Sequence, residues 1–203
     1  VLLDQFRIGP YLNFTYLVAD DEGGDGVVID PSFGIDPVLE RIDERRVKVR
    51  YILNTHSHPD HVAGNQDVRD RTGAKVVAHR VAPLHQDISV DDGQMFEAGR
   101  LAFRVVHTPG HTKDSVLYIF EGNVATGDTL FVGECGRTDL PGGDPSEMYD
   151  SLLRRVVALE DALVVLPGHD YGSTPTSTIG REKQENYTLQ PRTRDEFVKF
   201  LKE

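Results

Sequence analysis

The 203-residue sequence has one cysteine, Cys135, too few cationic residues to balance its acids, and no apolar run approaching the thickness of a bilayer. Each shortage excludes something. A single thiol cannot build an intrachain disulfide framework or a cysteine-rich zinc module, and it suits a reducing compartment. Lys and Arg number 22 against 33 Asp and Glu, a formal net charge of −11. The mean field therefore repels phosphate backbones and anionic lipid, which argues against nucleic-acid and membrane partners. No stretch reaches the roughly 20 apolar residues of a spanning helix, and Val1-Leu2-Leu3-Asp4 lacks a basic leader. The expected location is cytoplasmic, with loss of a short presequence left open because no methionine starts the chain.

What is present is the composition of a folded domain, 38% hydrophobic and 27% charged. The length suits a single domain over residues 1–203. Aromatic and β-branched runs separated by Gly-Pro and acidic turns predict strands over 3–8, 11–19 and 27–30. Asp36-Pro37 offers an N-cap and a first-turn proline, and Ile35, Val38, Leu39 and Ile42 repeat at helical spacing to about Arg46. Further strands are expected over 47–54, 75–79, 101–107, 115–120, 124–125 and 162–166, with a helix over 62–71, a helical or irregular stretch over 179–189 and a short helix from Thr193. Asp144-Pro145-Ser146-Glu147 reads as a capping box opening a helix with Met148, Leu152 and Val156 on one face. Strands alternating with single helices, in two halves around Ala98, predict an α/β architecture of two sheets faced by helices. Asp20-Asp21-Glu22 reads as a solvated turn, and Glu182-Lys183-Gln184-Glu185 as an ordinary helix surface.

The chemistry concentrates in Thr55-His56-Ser57-His58-Pro59-Asp60-His61, four potential ligands directly after a predicted strand. Satisfied core histidines do not cluster in this way. Imidazole and carboxylate suit zinc, iron or manganese, and soft sulfur ligands are missing. Three later loops at strand ends add Thr108-Pro109-Gly110-His111, Thr126-Gly127-Asp128 and Pro167-Gly168-His169-Asp170, each with a glycine that lets the backbone turn tightly beside the ligand. The grouping is His56, His58 and His111 for one ion, Asp60, His61 and His169 for a second, with Asp128 bridging. His79, His85 and His107 lack ligand spacing and read as structural or surface residues. Ser57 reads as a turn residue, and Cys135 lacks an activating partner.

The H-x-H-x-D-H segment followed by single His, Asp and His in those loops resembles the metallo-β-lactamase fold superfamily over nearly the whole chain. Gly127-Asp128-Thr129-Leu130-Phe131 followed by Gly133-Glu134-Cys135-Gly136-Arg137 is similar to hydroxyacylglutathione hydrolase (glyoxalase II) and its short relatives. The resemblance implies an αββα sandwich of two mixed sheets flanked by helices, the seven ligands above, and two divalent ions. Zinc is the first expectation, with iron or a zinc–iron pair as alternatives. It implies hydrolysis of a thioester, with a glutathione conjugate among the possible small-molecule partners.

Charge supports that reading independently. Two divalent ions offset by Asp60, Asp128 and one hydroxide leave about +1 where an oxyanion would form. Metal-bound hydroxide is the expected nucleophile, its parent water lowered towards a pKa of ~7, and Asp60 the residue that orients it. A leaving thiolate, with a conjugate-acid pKa near ~8.5, departs without strong acid help.

Arg137 stands where the glyoxalase II motif Gly-Cys-Gly-Lys has its lysine. It has two readings: a holder of a substrate carboxylate, or a partner of Asp139 or Asp144. Tyr171, two residues after His169, either lines the pocket or packs. Only 34 residues follow His169, fewer than the helical C-terminal domain of full-length glyoxalase II, so the thiol carrier stays open. The competing resemblance is to persulfide dioxygenase, with a single Fe(II) on His56, His111 and Asp128, the two-His-one-carboxylate set of non-haem oxygenases. Cys135-Gly136-Arg137-Thr138-Asp139 and His169-Asp170-Tyr171 resemble that family too. A dizinc β-lactamase would carry Cys at position 128, an RNA-processing nuclease a basic surface, and a flavodiiron protein Glu at position 58. Monomer and homodimer are both compatible with the sequence.

Overall fold

The computed structural model describes residues Val1–Glu203. Strands β1 (Leu2–Ile8), β2 (Asn13–Ala19) and β3 (Asp25–Ile29) pair antiparallel. Every residue of β2 is buried, because Phe14, Tyr16 and Val18 face one core while Leu17 and Ala19 face another. Helix α1 (Asp36–Arg45) follows and buries Val38, Leu39 and Ile42. Its N-cap is Ile35, without a side-chain bond, so Asp36 acts as a first-turn acid at the positive helix end and not as the expected cap. Next come β4 (Lys48–Leu53), α2 (Pro59–Val62), α3 (Asn65–Thr72), β5 (Lys75–His79) and β6 (Ile88–Val90). The one helix expected over 62–71 is broken at Gly64, whose N–H donates to Pro31 O. Strands β3 to β6 run parallel, completing a six-stranded mixed sheet in the order β1-β2-β3-β4-β5-β6.

The second half contributes β7 (Met95–Ala98), β8 (Leu101–His107), β9 (Val116–Phe120) and β10 (Asn123–Gly127), then a small hairpin of β11 (Leu130–Phe131) and β12 (Glu134–Cys135). Helix α4 (Pro145–Asp150) continues as a π-helical turn over Ser151–Val156. Strands β13 (Val164–Pro167) and β14 (Ser177–Thr178), helix α5 (Ile179–Glu185), a 3-10 turn over Tyr187–Leu189 and α6 (Arg194–Lys202) complete the chain. The second six-stranded sheet runs β14-β13-β10-β9-β8-β7, with β10 and β13 parallel and the remaining pairs antiparallel. Strands β6, β7, β11, β12 and β14 have two to four residues, too few for a two-residue period to declare itself in sequence.

Two caps repay comparison. Thr193 and Glu196 form the reciprocal capping box at α6. Asp144 accepts from Ser146 N–H and Glu147 N–H, but its own N–H is taken by Gly110 O, so Glu147 turns to Lys113 and the expected box is only half formed. Within the stretch over 179–189, expected as helical or irregular, the α-helix stops at Glu185, because Asn186 is extended and accepts from Thr188 N–H. Glu182, expected on a solvated face, is buried. Asp20 is not purely a solvated turn residue either, since its carboxylate accepts from Arg100 N–H.

Three apolar layers follow. Phe14, Tyr16, Phe103, Tyr118 and Phe120 fill the space between the sheets. Leu17, Val28 and Ile52 meet Val38, Ile42 and Val68 of α1 and α3. Leu117, Val124 and Val165 meet Met148, Leu152, Ile179 and Phe197 of the later helices. The result is the αββα sandwich. At one rim the two sheets are joined backbone to backbone: Phe14 N–H donates to Gly168 O, Asp170 N–H to Leu12 O and Val116 N–H to Thr55 O. Tyr16 and Tyr118 add buried hydroxyl bonds to Pro167 O and Asn54 O across the same gap. No helix is long and apolar enough to cross a membrane.

Candidate metal centre

That rim holds all seven candidate ligands. His56 and His58 lie on the loop leaving β4, Asp60 and His61 on the four-residue α2, His111 between β8 and β9, Asp128 after β10 and His169 after β13. His56, His58 and His111 each bring a ligand atom within 4.8 Å of the others, and Asp60, His61 and His169 do the same. Asp128 stands between the sets. Its Oδ2 lies 3.3 Å from His111 Nε2 and 3.1 Å from His169 Nε2, and its Oδ1 lies 3.3 Å from His61 Nε2. Gly168 permits this approach, since a Cβ there would sit 2.5 Å from Asp128 Oδ1.

The donor set fits divalent ions. Tetrahedral zinc bonded to nitrogen at ~2.0–2.1 Å holds neighbouring ligand nitrogens about 3.3 Å apart. His58 Nδ1 and His111 Nε2 are 3.1 Å apart, and His61 Nε2 and His169 Nε2 are 3.2 Å apart. His56 Nε2 and Asp128 Oδ1 are buried with no hydrogen-bond partner, a cost native interiors avoid unless something else satisfies the atom.

Behind the ligands stand residues that sequence reading missed. Asp30 accepts from Thr55 N–H at 2.7 Å and Thr55 Oγ1–H at 2.6 Å, and its Oδ2 lies 3.0 Å from His61 Nδ1. Although Asp30 also lies within reach of His56 and His61, its oxygens are spent on these partners and face the Nδ1 edge of His61. It orients, and Nε2 remains for an ion. Asp30 has a left-handed backbone, φ 50°, which aspartate tolerates better than most residues. Thr55 Oγ1 is 3.1 Å from His56 Nδ1, Arg137 O is 2.7 Å from His111 Nδ1 and Tyr11 O is 2.7 Å from His169 Nδ1. Asn13 Nδ2–H donates to Asp60 Oδ2 at 2.9 Å. A carboxylate at the end of β3, beside the ligand-bearing end of β4, was the one available signal for Asp30; the carbonyl partners leave none.

The electrostatics divide the site. Burial, then the neighbouring His61, hold His56 well below the ordinary imidazole range, and burial with His111 lowers His58. For His61 burial acts against charge, but Asp128, Asp30 and Asp60 prevail and raise it well above that range. Burial likewise opposes ionisation of Asp60 and Asp128. His61 and Asn13 nevertheless bring Asp60 down to about 2, and the surrounding histidines bring Asp128 well below the carboxylate range.

Tyr171 stacks on His169 with ring centroids 4.6 Å apart and Phe131 edge-on at 5.2 Å, leaving the tyrosine half exposed beside the centre. The exposed Arg137 guanidinium is paired in two-pronged fashion with Asp139, at 2.7 and 2.8 Å. Arg137 also helps line a groove of about 960 Å³ that reaches Tyr187, Phe200 and Lys202; none of the seven ligands lines it. Cys135 is buried, and burial followed by Glu134 pushes its thiol up to about 12, so it is no nucleophile at neutral pH. His79 is buried and stacks on His107 at 4.0 Å, and His85 is exposed.

Comparison with known proteins identifies relatives along most of the chain. Human persulfide dioxygenase ETHE1, mitochondrial, is 32% identical over 208 residues, spanning 99% of this chain and 80% of that protein. Hydroxyacylglutathione hydrolase of Anaeromyxobacter dehalogenans is 39% identical over 175 residues, 85% of this chain and 67% of that protein. The crystal structure of ETHE1 from Myxococcus xanthus superposes with a TM-score of 0.94 at 34% identity, covering 100% of this chain and 90% of that one. The family model of the metallo-beta-lactamase superfamily matches residues 8–86 and 80–169, and the chain belongs to that superfamily.

Proposed function

We propose that this chain is a metal-dependent hydrolase of thioesters, of the hydroxyacylglutathione type, with a dinuclear centre. The observation that carries the reading is Asp128, placed between two complete three-residue ligand sets. His56, His58 and His111 would hold one divalent ion, Asp60, His61 and His169 the other, zinc or a zinc–iron pair. Bound there, the ions would supply Lewis acidity and lower the pKa of a bound water. Asp60, ionised at neutral pH and fixed by Asn13 through Oδ2, orients the attacking water and accepts its proton on its other oxygen. Tyr171 covers the His169 side of the site. Arg137 exchanges Asp139 for a substrate carboxylate, which places the thiol portion along the adjoining groove. No acid positioned to protonate an amine leaving group accompanies these residues, which favours a thioester over an amide.

A second reading is supported by the near-complete coverage of this chain by ETHE1 proteins. Here His56, His111 and Asp128 hold one Fe(II) for oxidation of a glutathione persulfide by O2. Elemental analysis of chelator-free protein, then parallel assays of acylglutathione hydrolysis and of O2 consumption with glutathione persulfide, separates the two. Two ions per chain with thioester turnover support the hydrolase. One iron with O2 uptake and no hydrolysis overturns it.

A further inference from the structure

Helix α5 contains no candidate ligand, yet it grips the loop that two ligands depend on. Glu182 and Asn186, one turn apart, are 1% and 0% exposed. The Glu182 carboxylate accepts from Gly133 N–H at 2.7 Å, Ser177 Oγ–H at 2.6 Å and Asn186 Nδ2–H at 3.0 Å. Asn186 Nδ2 also lies 3.3 Å from Phe131 O and 3.1 Å from Glu134 O. Three backbone groups of the β11–β12 turn are thus fixed by two buried side chains. Such bonds to a carboxylate are about twice as strong as neutral ones, and each abandoned buried polar group costs about 1–3 kcal/mol.

The opposite side of the same segment faces the centre. Phe131 packs edge-on against His169 at 5.6 Å. Past β12, Gly136 passes so close to Asp128 that a Cβ would lie 1.8 Å from its carbonyl oxygen and 3.1 Å from His111 Nδ1. The next residue, Arg137, supplies the carbonyl facing His111 Nδ1 and is itself part of the groove's lining. The position of this segment sets the His111 ring and the Arg137 head together.

We propose that Glu182, backed by Asn186, is a positioning residue that clamps residues 131–137 and through them aims His111 and presents Arg137. The proposal rests on the reading of the seven residues as a metal centre. It is tested on the full chain with Glu182→Ala, Glu182→Gln and Glu182→Asp, following amide hydrogen exchange, zinc affinity by chelator competition, and KM separately from kcat on an acylglutathione. Alanine should speed exchange at 131–139 at least tenfold while β2 and β3 keep their protection, weaken zinc about tenfold, and raise KM. Glutamine should restore all three, since its oxygen can accept from Gly133 and Asn186 while its nitrogen donates to Ser177 Oγ. If the alanine variant does not fold, aspartate carries the comparison, because its carboxylate is drawn back from Gly133 by one methylene. Unchanged exchange and zinc affinity in the alanine or aspartate variant, or glutamine as damaging as alanine, overturns the proposal. Parent protein that binds neither zinc nor iron overturns the metal-centre reading instead, and exchange at 131–139 still decides the clamp.

Discussion

The two ligand sets are built from similar residues but backed differently. His56, His58 and His111 are imidazoles supported by neutral oxygens, Thr55 Oγ1 and Arg137 O. Asp60, His61 and His169 include a carboxylate, and a second one, Asp30, stands behind His61. Burial lowers His56 and His58 in the first set, whereas in the second the carboxylates of Asp128, Asp30 and Asp60 outweigh burial and raise His61. One edge of a sandwich can therefore present two sites with opposite attitudes to a proton, a few ångströms apart.

The largest test removes what the sets share. Asp128→Ala should release both ions and lower turnover at least ~10³-fold, since several kcal/mol of charge stabilisation depend on them; elemental analysis with kinetics checks this, and retained metal in either set would end the bridging assignment. Asp30→Ala acts on one side. It should weaken the ion on the Asp60 set by about 10–100-fold while the other set loses less, as read by stepwise competition with a chelator. Because Asp30 also satisfies Thr55, the metal-free variant should lose about 1–3 kcal/mol of stability in urea. Equal weakening of both sets would show that the backing does not distinguish them.

The pH dependence sharpens the same contrast. An ion entering the Asp60 set displaces the proton on His61, so its affinity should climb with pH by up to about tenfold per unit until His61 itself deprotonates. The other set, in which burial lowers His56 and His58, should respond far less. Calorimetry in buffers of different ionisation enthalpy counts the released protons, and equal release from both sets would contradict the electrostatics described above. Arg137→Ala should have the smallest effect: a few-fold rise in KM with an unchanged melting temperature, because its exposed pair with Asp139 is screened by solvent and adds little to stability.

The seven candidate ligands stood out in sequence because four crowd into residues 56–61 and the other three follow strand ends beside glycines. Their supports did not. Asp30 depends on β3 lying beside β4, and Tyr11 and Arg137 act through carbonyls, which every residue possesses. Glu182 was misread because hydrophobic periodicity assigns a charged residue to solvent, whereas here three donors meet it indoors. Asp144 shows the same weakness on a smaller scale: its motif was present, but Gly110 had taken the N–H that would have completed it. The two longest sheets followed from aromatic and β-branched runs; strands of two or three residues exist only through their partners.

The backbone bonds that join the sheets at one rim make that rim a pivot. At the far end the sheets meet through a side-chain bond, Arg100 N–H to Asp20 Oδ2, so any opening of the sandwich should be larger there than at the backbone-joined rim. The ligand spacings lie where the lever arm is shortest. Warming the protein should therefore loosen the distant turns well before it alters the span between the two sets, within the ~0.5 Å that such a site tolerates.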